Sequence, residues 1–199
     1  MHRKDPLESV YNFINGALRV SAEKREREQT APLHSAAVCL AEAQRCIDTQ
    51  DYKNALPLFQ KAADRGSAPA MYYLGLLYSS GEVARDYAKA REWLQKAADA
   101  GESNSMARLG LMYECGEGVA KDIGKAREWH QKAADAGDSN SMCRLGIMYE
   151  YGQGVAKDIG KAREWYQKAA DAGDSSAKEA LSQLRSPNFW SAVKRVLKS

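Results

Sequence analysis

The 199-residue chain is poor in the residues and patterns that usually mark a reaction centre. Histidine occurs only at His2, His34 and His130, too scattered for the His-Glu-x-x-His helix that holds zinc. No Gly-x-Ser-x-Gly turn and no Walker-type glycine loop occurs, so acyl transfer and nucleotide chemistry lack their usual signatures. The four cysteines, Cys39, Cys46, Cys115 and Cys143, contain no Cys-x-x-Cys pair. Cys39 and Cys46 fall seven positions apart in what reads as one helix, about 10 Å along its axis and beyond disulfide reach. A disulfide scaffold or zinc site is therefore not expected, and neither is a cofactor. Cysteines used as small buried hydrophobes fit a reducing, cytoplasmic setting.

Long apolar runs are missing as well. The start, Met1-His-Arg-Lys-Asp-Pro, is positively charged but lacks the following apolar stretch of ~7 to 15 residues that a secretory signal needs. No window approaches the ~18 consecutive apolar residues of a membrane-spanning helix. Charge of one sign is not in excess either, because 29 Lys plus Arg stand against 26 Asp plus Glu, a formal net charge of +3. Nucleic-acid binding is not expected from that balance. Hydrophobic residues at 44% and charged residues at 28% instead describe a folded chain with a real core.

What the sequence does contain is repetition. Trp93, Trp129 and Trp165 recur every 36 positions, each inside Lys-Ala-Arg-Glu-Trp. Gly101, Gly137 and Gly173 keep that interval, as do Met106 and Met142, Leu109 and Leu145, Gly110 and Gly146, and Tyr113 and Tyr149. A looser copy, Met71, Leu74, Gly75 and Tyr78, precedes them at an interval of 35, the missing residue falling in a turn. Each unit reads as two helices, of the Ala70 to Ser79 type and the Asp86 to Ala100 type. Asp86, Asp122 and Asp158 are placed to cap the second helix, and the glycines at 101, 137 and 173 to end it. Ala90, Trp93, Leu94, Ala97 and Ala98 form one buried stripe, while Glu92-Lys96 and its copies sit as i, i+4 pairs on the exposed face.

The combination Leu-Gly-x-x-Tyr, Gly-x-Gly-Val, Asp-x-x-Lys-Ala-x-x-Trp and Lys-Ala-Ala-x-x-Gly closely resembles Sel1-like repeats, relatives of tetratricopeptide repeats. The resemblance covers roughly residues 67 to 180. It implies an all-α, right-handed solenoid of helix pairs whose usual work is holding other proteins. Residues 67–186 are read as the repeats, and 33–66, with Tyr52, Ala55, Leu58 and Phe59, as a degenerate first unit. One helix pair cannot cover its own apolar stripe, so neighbours must stack. The tryptophans are expected in the core, where truncation costs ~3 to 5 kcal/mol against a total stability of ~5 to 15. Gly75, Gly110 and Gly146, each costing ~1 kcal/mol inside a helix, are expected where two backbones approach closely. His130, in the slot held by Leu94 and Tyr166, is expected at the edge of the core. Gly116-Glu-Gly-Val and Gly152-Gln-Gly-Val read as turns rather than phosphate loops.

The ends differ from the array. Residues 1–32 carry an apolar helical face, Leu7, Val10, Tyr11, Phe13, Ile14, Ala17 and Leu18, then a break at Thr30-Ala-Pro32. They are read as an N-terminal cap and linker, with a dimerising or partner-docking helix as the alternative. Residues 187–199 place Phe189, Trp190, Val193, Val196 and Leu197 opposite Lys194, Arg195 and Lys198. The favoured reading is a basic amphipathic helix capping the last repeat. An anionic membrane surface or an acidic partner is the alternative target.

If Leu74, Leu77 and Tyr78 face the core, the opposite side of the first helices carries Pro69, Tyr73, Leu76 and Ser80, then Asn104, Arg108, Leu111 and Cys115, then Asn140, Arg144, Ile147 and Tyr151. In tetratricopeptide-like superhelices that stripe lines the concave surface. The partner-binding residues are therefore taken to be Tyr73, Asn104, Arg108, Leu111, Asn140, Arg144, Ile147 and Tyr151. Arg and Asn suit a carboxylate and a peptide backbone, while Tyr, Leu and Ile offer apolar contact. The leading expectation is a non-catalytic adaptor for a protein or peptide. Second is a membrane-peripheral scaffold using the basic tail. A beta-lactam-type hydrolase, associated with cysteine-rich relatives, is third, because those relatives place bridged cysteines where this chain has Ala134 and Met142.

Overall fold

The computed structural model describes residues 35–185. Within them nine α-helices follow one another and no strand occurs: α1 (Ala36–Asp48), α2 (Tyr52–Ala63), α3 (Ala68–Ser80), α4 (Tyr87–Asp99), α5 (Ser103–Cys115), α6 (Ile123–Asp135), α7 (Ser139–Tyr151), α8 (Ile159–Asp171) and α9 (Ser175–Arg185). Each packs on its neighbours in sequence, most extensively within the pairs α1–α2, α3–α4, α5–α6 and α7–α8. This is the all-α solenoid that the 36-residue period predicts. The N-terminal helix expected before residue 32 and the basic helix expected over 187–199 lie outside the described residues.

Local signals explain the boundaries. The carboxylates of Asp86, Asp122 and Asp158 each accept from the amide three residues on, at 3.0 Å, satisfying a donor that the first turn leaves open. Gly101, Gly137 and Gly173 adopt φ of +88°, +93° and +97°, a region in which a side chain would be strained. The first helices of the pairs begin on Ser67, Glu102 and Asp138. The Gly116 and Gly152 segments are turns, as expected, joining a first helix to its Asp-capped partner.

Packing departs from the sequence reading in three places. The slot of Leu94, His130 and Tyr166 is buried to 0, 1 and 1% exposure, so His130 lies in the core and not at its edge. Trp93, Trp129 and Trp165, one residue earlier, are only half-buried. Each indole rests on a core cluster with one face and takes a lysine ammonium, Lys96, Lys132 or Lys168, 4.2 Å from its ring centre on the other. Those lysines cover apolar surface with their stems and gain a cation–π contact, which the helix spacing alone would have given to Glu92, Glu128 and Glu164. Finally, the glycines of the first helices answer to side chains and not chiefly to backbone. A Cβ at Gly75, Gly110 or Gly146 would stand 2.5, 2.7 or 2.6 Å from the buried residue Leu94, His130 or Tyr166.

The cysteines are all free, with Cys39 and Cys143 buried. Adding or withholding reductant is therefore expected to leave the melting temperature unchanged. A drop of several degrees on reduction, measured by circular dichroism, would contradict this arrangement.

Candidate functional site

The first helices of successive pairs, α3, α5, α7 and α9, share one side of the molecule. A groove of about 570 Å³ runs across them. Six of the eight residues that the sequence assigns to partner binding line it: Asn104, Arg108 and Leu111 from α5, and Asn140, Arg144 and Ile147 from α7. The i, i+4, i+7 spacing brings each trio onto one helical side, and the 36-residue period sets the trios side by side. Tyr73 lies outside this groove, in an adjoining hollow of about 380 Å³ with Leu76, Ser80 and Arg108, so Arg108 borders both. Its ring stacks on Phe59 at 4.9 Å between centres. Tyr151 stands at the helix end, 64% exposed and outside the lining of either hollow.

Both groove arginines are already engaged within the chain. Arg108 donates to Glu117 at 2.8 Å, and Arg144 donates to Glu114 at 3.2 Å. Asp138 and Asp174 add two further carboxylates to the lining. These two accept from the amides of Ser141 and Ala177 at 2.7 Å, capping α7 and α9. The lining itself thus carries two carboxylates and two guanidinium groups, and each arginine is held by a glutamate outside that lining. Asn104 gives its amide nitrogen to Glu102 at 2.8 Å, whereas Asn140 makes no side-chain hydrogen bond among the described residues.

Beneath the polar rim lies a buried relay that the sequence reading missed. His130 Nδ1 is 3.3 Å from Ser141 Oγ, and Nε2 is 3.3 Å from a Glu114 oxygen whose partner oxygen holds Arg144. Burial lowers the imidazole pKa below its ordinary value, with Glu114 opposing the shift and Arg144 assisting it. The order acid, imidazole, hydroxyl invites comparison with a nucleophilic relay. Here, however, the Ser141 amide that would help stabilise an oxyanion is taken by Asp138. The neighbouring units show what the group does structurally. In the next unit Tyr166 fills the slot and donates to Glu150 at 2.7 Å, with burial and this bond raising its pKa. In the preceding unit Leu94 fills it, and Ser105, the counterpart of Ser141, is fully buried without a partner. His130 is thus the polar member of a packing slot that also tolerates an aliphatic or phenolic side chain.

Tyr72, Ala107, Cys143 and Ser176 complete much of the lining. The Tyr72 hydroxyl has its pKa raised by burial and then by Glu102, and the Cys143 thiol has its pKa raised by burial and then by Asp174. A signal for them existed in the sequence: Tyr72, Ala107 and Cys143 each stand one position before a stripe residue, and Ser176 is the 36-residue counterpart of Asn140. Among the described residues no helix is long and apolar enough to cross a membrane.

A stack of antiparallel helix pairs with a groove along its first helices defines the class of α-solenoid repeat proteins. Within that class the Sel1 repeat model matches residues 47–67, 68–102, 103–138 and 139–174, and the chain belongs to the Sel1 repeat family. Its proteins are generally non-catalytic scaffolds for protein–protein interaction. The chain is similar to a Sel1 repeat protein from Oxalobacter formigenes, with 31% identity and a TM-score of 0.70 over 76% of this chain and 65% of that one. It is also similar to a protective antigen of uropathogenic Escherichia coli described as displaying an SLR fold, with 35% identity and a TM-score of 0.69 over 77% of this chain and 34% of that one. The chain therefore spans under two thirds of either relative. Helicobacter pylori cysteine-rich protein B, 23% identical with a TM-score of 0.50 over 70% of this chain and 95% of that one, shares the fold. No curated protein matches the sequence.

Proposed function

We propose that this chain is a non-catalytic adaptor, working in a reducing cytoplasmic setting, that holds a protein or peptide segment in the groove across α3, α5, α7 and α9. The observation carrying this reading is the convergence of Asn104, Leu111, Asn140 and Ile147, spaced 36 residues apart in pairs, on one continuous hollow. Paired carboxamides at a fixed interval suit the backbone of an extended segment, and the apolar pair beneath suits its side chains. No specific observation favours a beta-lactam-type hydrolase, since Cys39, Cys46, Cys115 and Cys143 are unbridged.

Asn104 and Asn140 are both exposed, so replacing them together with Ala leaves the core intact. With a partner captured by the full chain, the double variant is expected to bind about 10- to 100-fold more weakly at unchanged melting temperature, through the loss of two hydrogen bonds of ~1 kcal/mol or more each. Arg163→Ala, on the exposed side of α8, serves as the silent control. Titration calorimetry decides it: equal affinity for wild type and double variant would remove the groove as the binding site.

A further inference from the structure

Leu76, Leu111 and Ile147 hold the same place in three successive first helices, 35 and 36 residues apart, and all three are half-buried. The apolar line ends there, because the same place on α9 is Gln183, which is exposed. A second row on these helices runs Pro69, Asn104, Asn140 and Ser176, so a carboxamide stands on α5 and α7 but not on α3. Leu111 and Ile147 line the groove, whereas Leu76 lines the adjoining hollow of about 380 Å³. The two spaces meet at Arg108, which borders both, and Leu76 carries the apolar line from one into the other.

The two spaces differ in what they ask of a ligand. The hollow is walled by Ile47 from the end of α1, Tyr52 from the start of α2, and Tyr73, Leu76 and Leu77 from α3. Polar atoms on its wall are largely spent within the chain. Ser79 and Ser80 donate their hydroxyls to the carbonyls of Leu76 and Leu77 at 3.0 and 3.2 Å, the Tyr73 hydroxyl accepts from Gln44 at 3.5 Å, and Arg108 donates to Glu117 at 2.8 Å. A polar group entering here gives up water and finds few partners, so an apolar one is favoured. The volume lies near the lower end of the ~300 to 1,000 Å³ of sites that enclose small molecules, enough for one large side chain. In the groove, by contrast, the exposed carboxamide of Asn140 is open to a peptide backbone.

We propose that the segment held by Asn104 and Asn140 continues past Arg108 and seats one large apolar side chain, aromatic or branched aliphatic, in the hollow of α1, α2 and α3. This rests on the reading of the groove as a binding site and adds the chemistry of the partner: a linear segment whose backbone is gripped over α5 and α7 and whose apolar anchor fills the hollow beside Leu76.

A library of random linear dodecapeptides, displayed on phage and selected against the full chain, tests this without a known partner. Selected sequences are expected to share one position restricted to large apolar residues, and its replacement by Ala to weaken the synthetic peptide about 10- to 100-fold in titration calorimetry. Two variants of the chain probe the hollow. Ser80→Trp fills it from an exposed position, and Leu76→Gln puts on its floor the residue that α9 already carries in that place. Each is expected to weaken the peptides about tenfold at a melting temperature unchanged to within a few degrees, and a peptide already lacking its anchor should no longer respond to either. Arg163→Ala is the silent control. An empty selection, or peptides with no apolar position in common, overturns the proposal. Peptides that respond to the Asn104 and Asn140 substitutions but to neither hollow variant overturn it while leaving the groove as the site. Peptides that respond only to the hollow variants overturn the continuity of the two spaces and count against the groove. A dimer in sedimentation that Ser80→Trp dissociates overturns it in favour of a second copy.

Discussion

Tyr166→Ala is expected to destabilise the array by ~3 to 5 kcal/mol, more than Trp165→Ala one position earlier. The ranking runs against side-chain size and against the regularity of the tryptophan repeat. Tyr166 is 1% exposed, packs over Gly146 and donates its hydroxyl to Glu150, so truncation leaves a cavity and unpairs a half-buried carboxylate. Trp165 gives one face to the core and the other to Lys168, so part of its surface is already in contact with a solvated side chain. Leu94→Ala, in the same slot two units earlier, should cost ~2 to 5 kcal/mol. Tyr166→Phe separates the terms: it keeps the ring and loses one hydrogen bond, for about 1 kcal/mol. Urea unfolding followed by circular dichroism measures all four variants. If Trp165→Ala costs more than Tyr166→Ala, the indoles and not the neighbouring slot hold the pairs together.

The stability of the wild-type chain should fall on acidification more steeply than that of His130→Leu. The imidazole is held neutral by burial, so its folded-state pKa lies below the unfolded value. In the window between those two values the unfolded chain binds more protons than the folded one. Stability therefore rises with pH through that window and is lost as pH falls below about 6.5, by at most ~1.4 kcal/mol per pH unit from this residue. The groups facing the ring are Glu114 on α5 and Ser141, Arg144 and Asp138 on or before α7, and Glu114 opposes the effect. Leu is the natural replacement because residue 94 already uses it over Gly75. Arg144 still holds Glu114 in the variant, and Ser141 is left as Ser105 is in the wild type. Denaturant midpoints of both proteins between pH 7.5 and 5 give the difference. Parallel curves would mean that His130 takes up its proton in the folded chain as easily as in the unfolded one.

Both expectations concern one slot, and the slot shows where sequence reasoning stopped. The repeat interval, the aspartate caps and the terminal glycines are local, each requiring at most a few neighbouring residues, and they placed the helices to within a residue or two. The helical spacing of Asn104, Arg108 and Leu111, and of their copies at 140, 144 and 147, was legible for the same reason. It sufficed to identify the groove side of α5 and α7.

Burial depth was not local. Trp165 and Tyr166 both lie on the apolar stripe of α8, and which one enters the core depends on Gly146, twenty residues earlier on α7, leaving room for the second. The charge of the groove was not local either. Arg144 looked available to a partner until Glu114, thirty residues away, was seen to hold it, and Arg108 until the turn returned Glu117 beside it. Periodicity repeats a backbone, so it can announce helices, turns and the stacking of pairs. It cannot announce which side chain of one unit meets which of the next, because Leu94, His130 and Tyr166 satisfy the same backbone with different partners. Those pairings, and with them the hold of Glu114 on Arg144, follow from packing between helices.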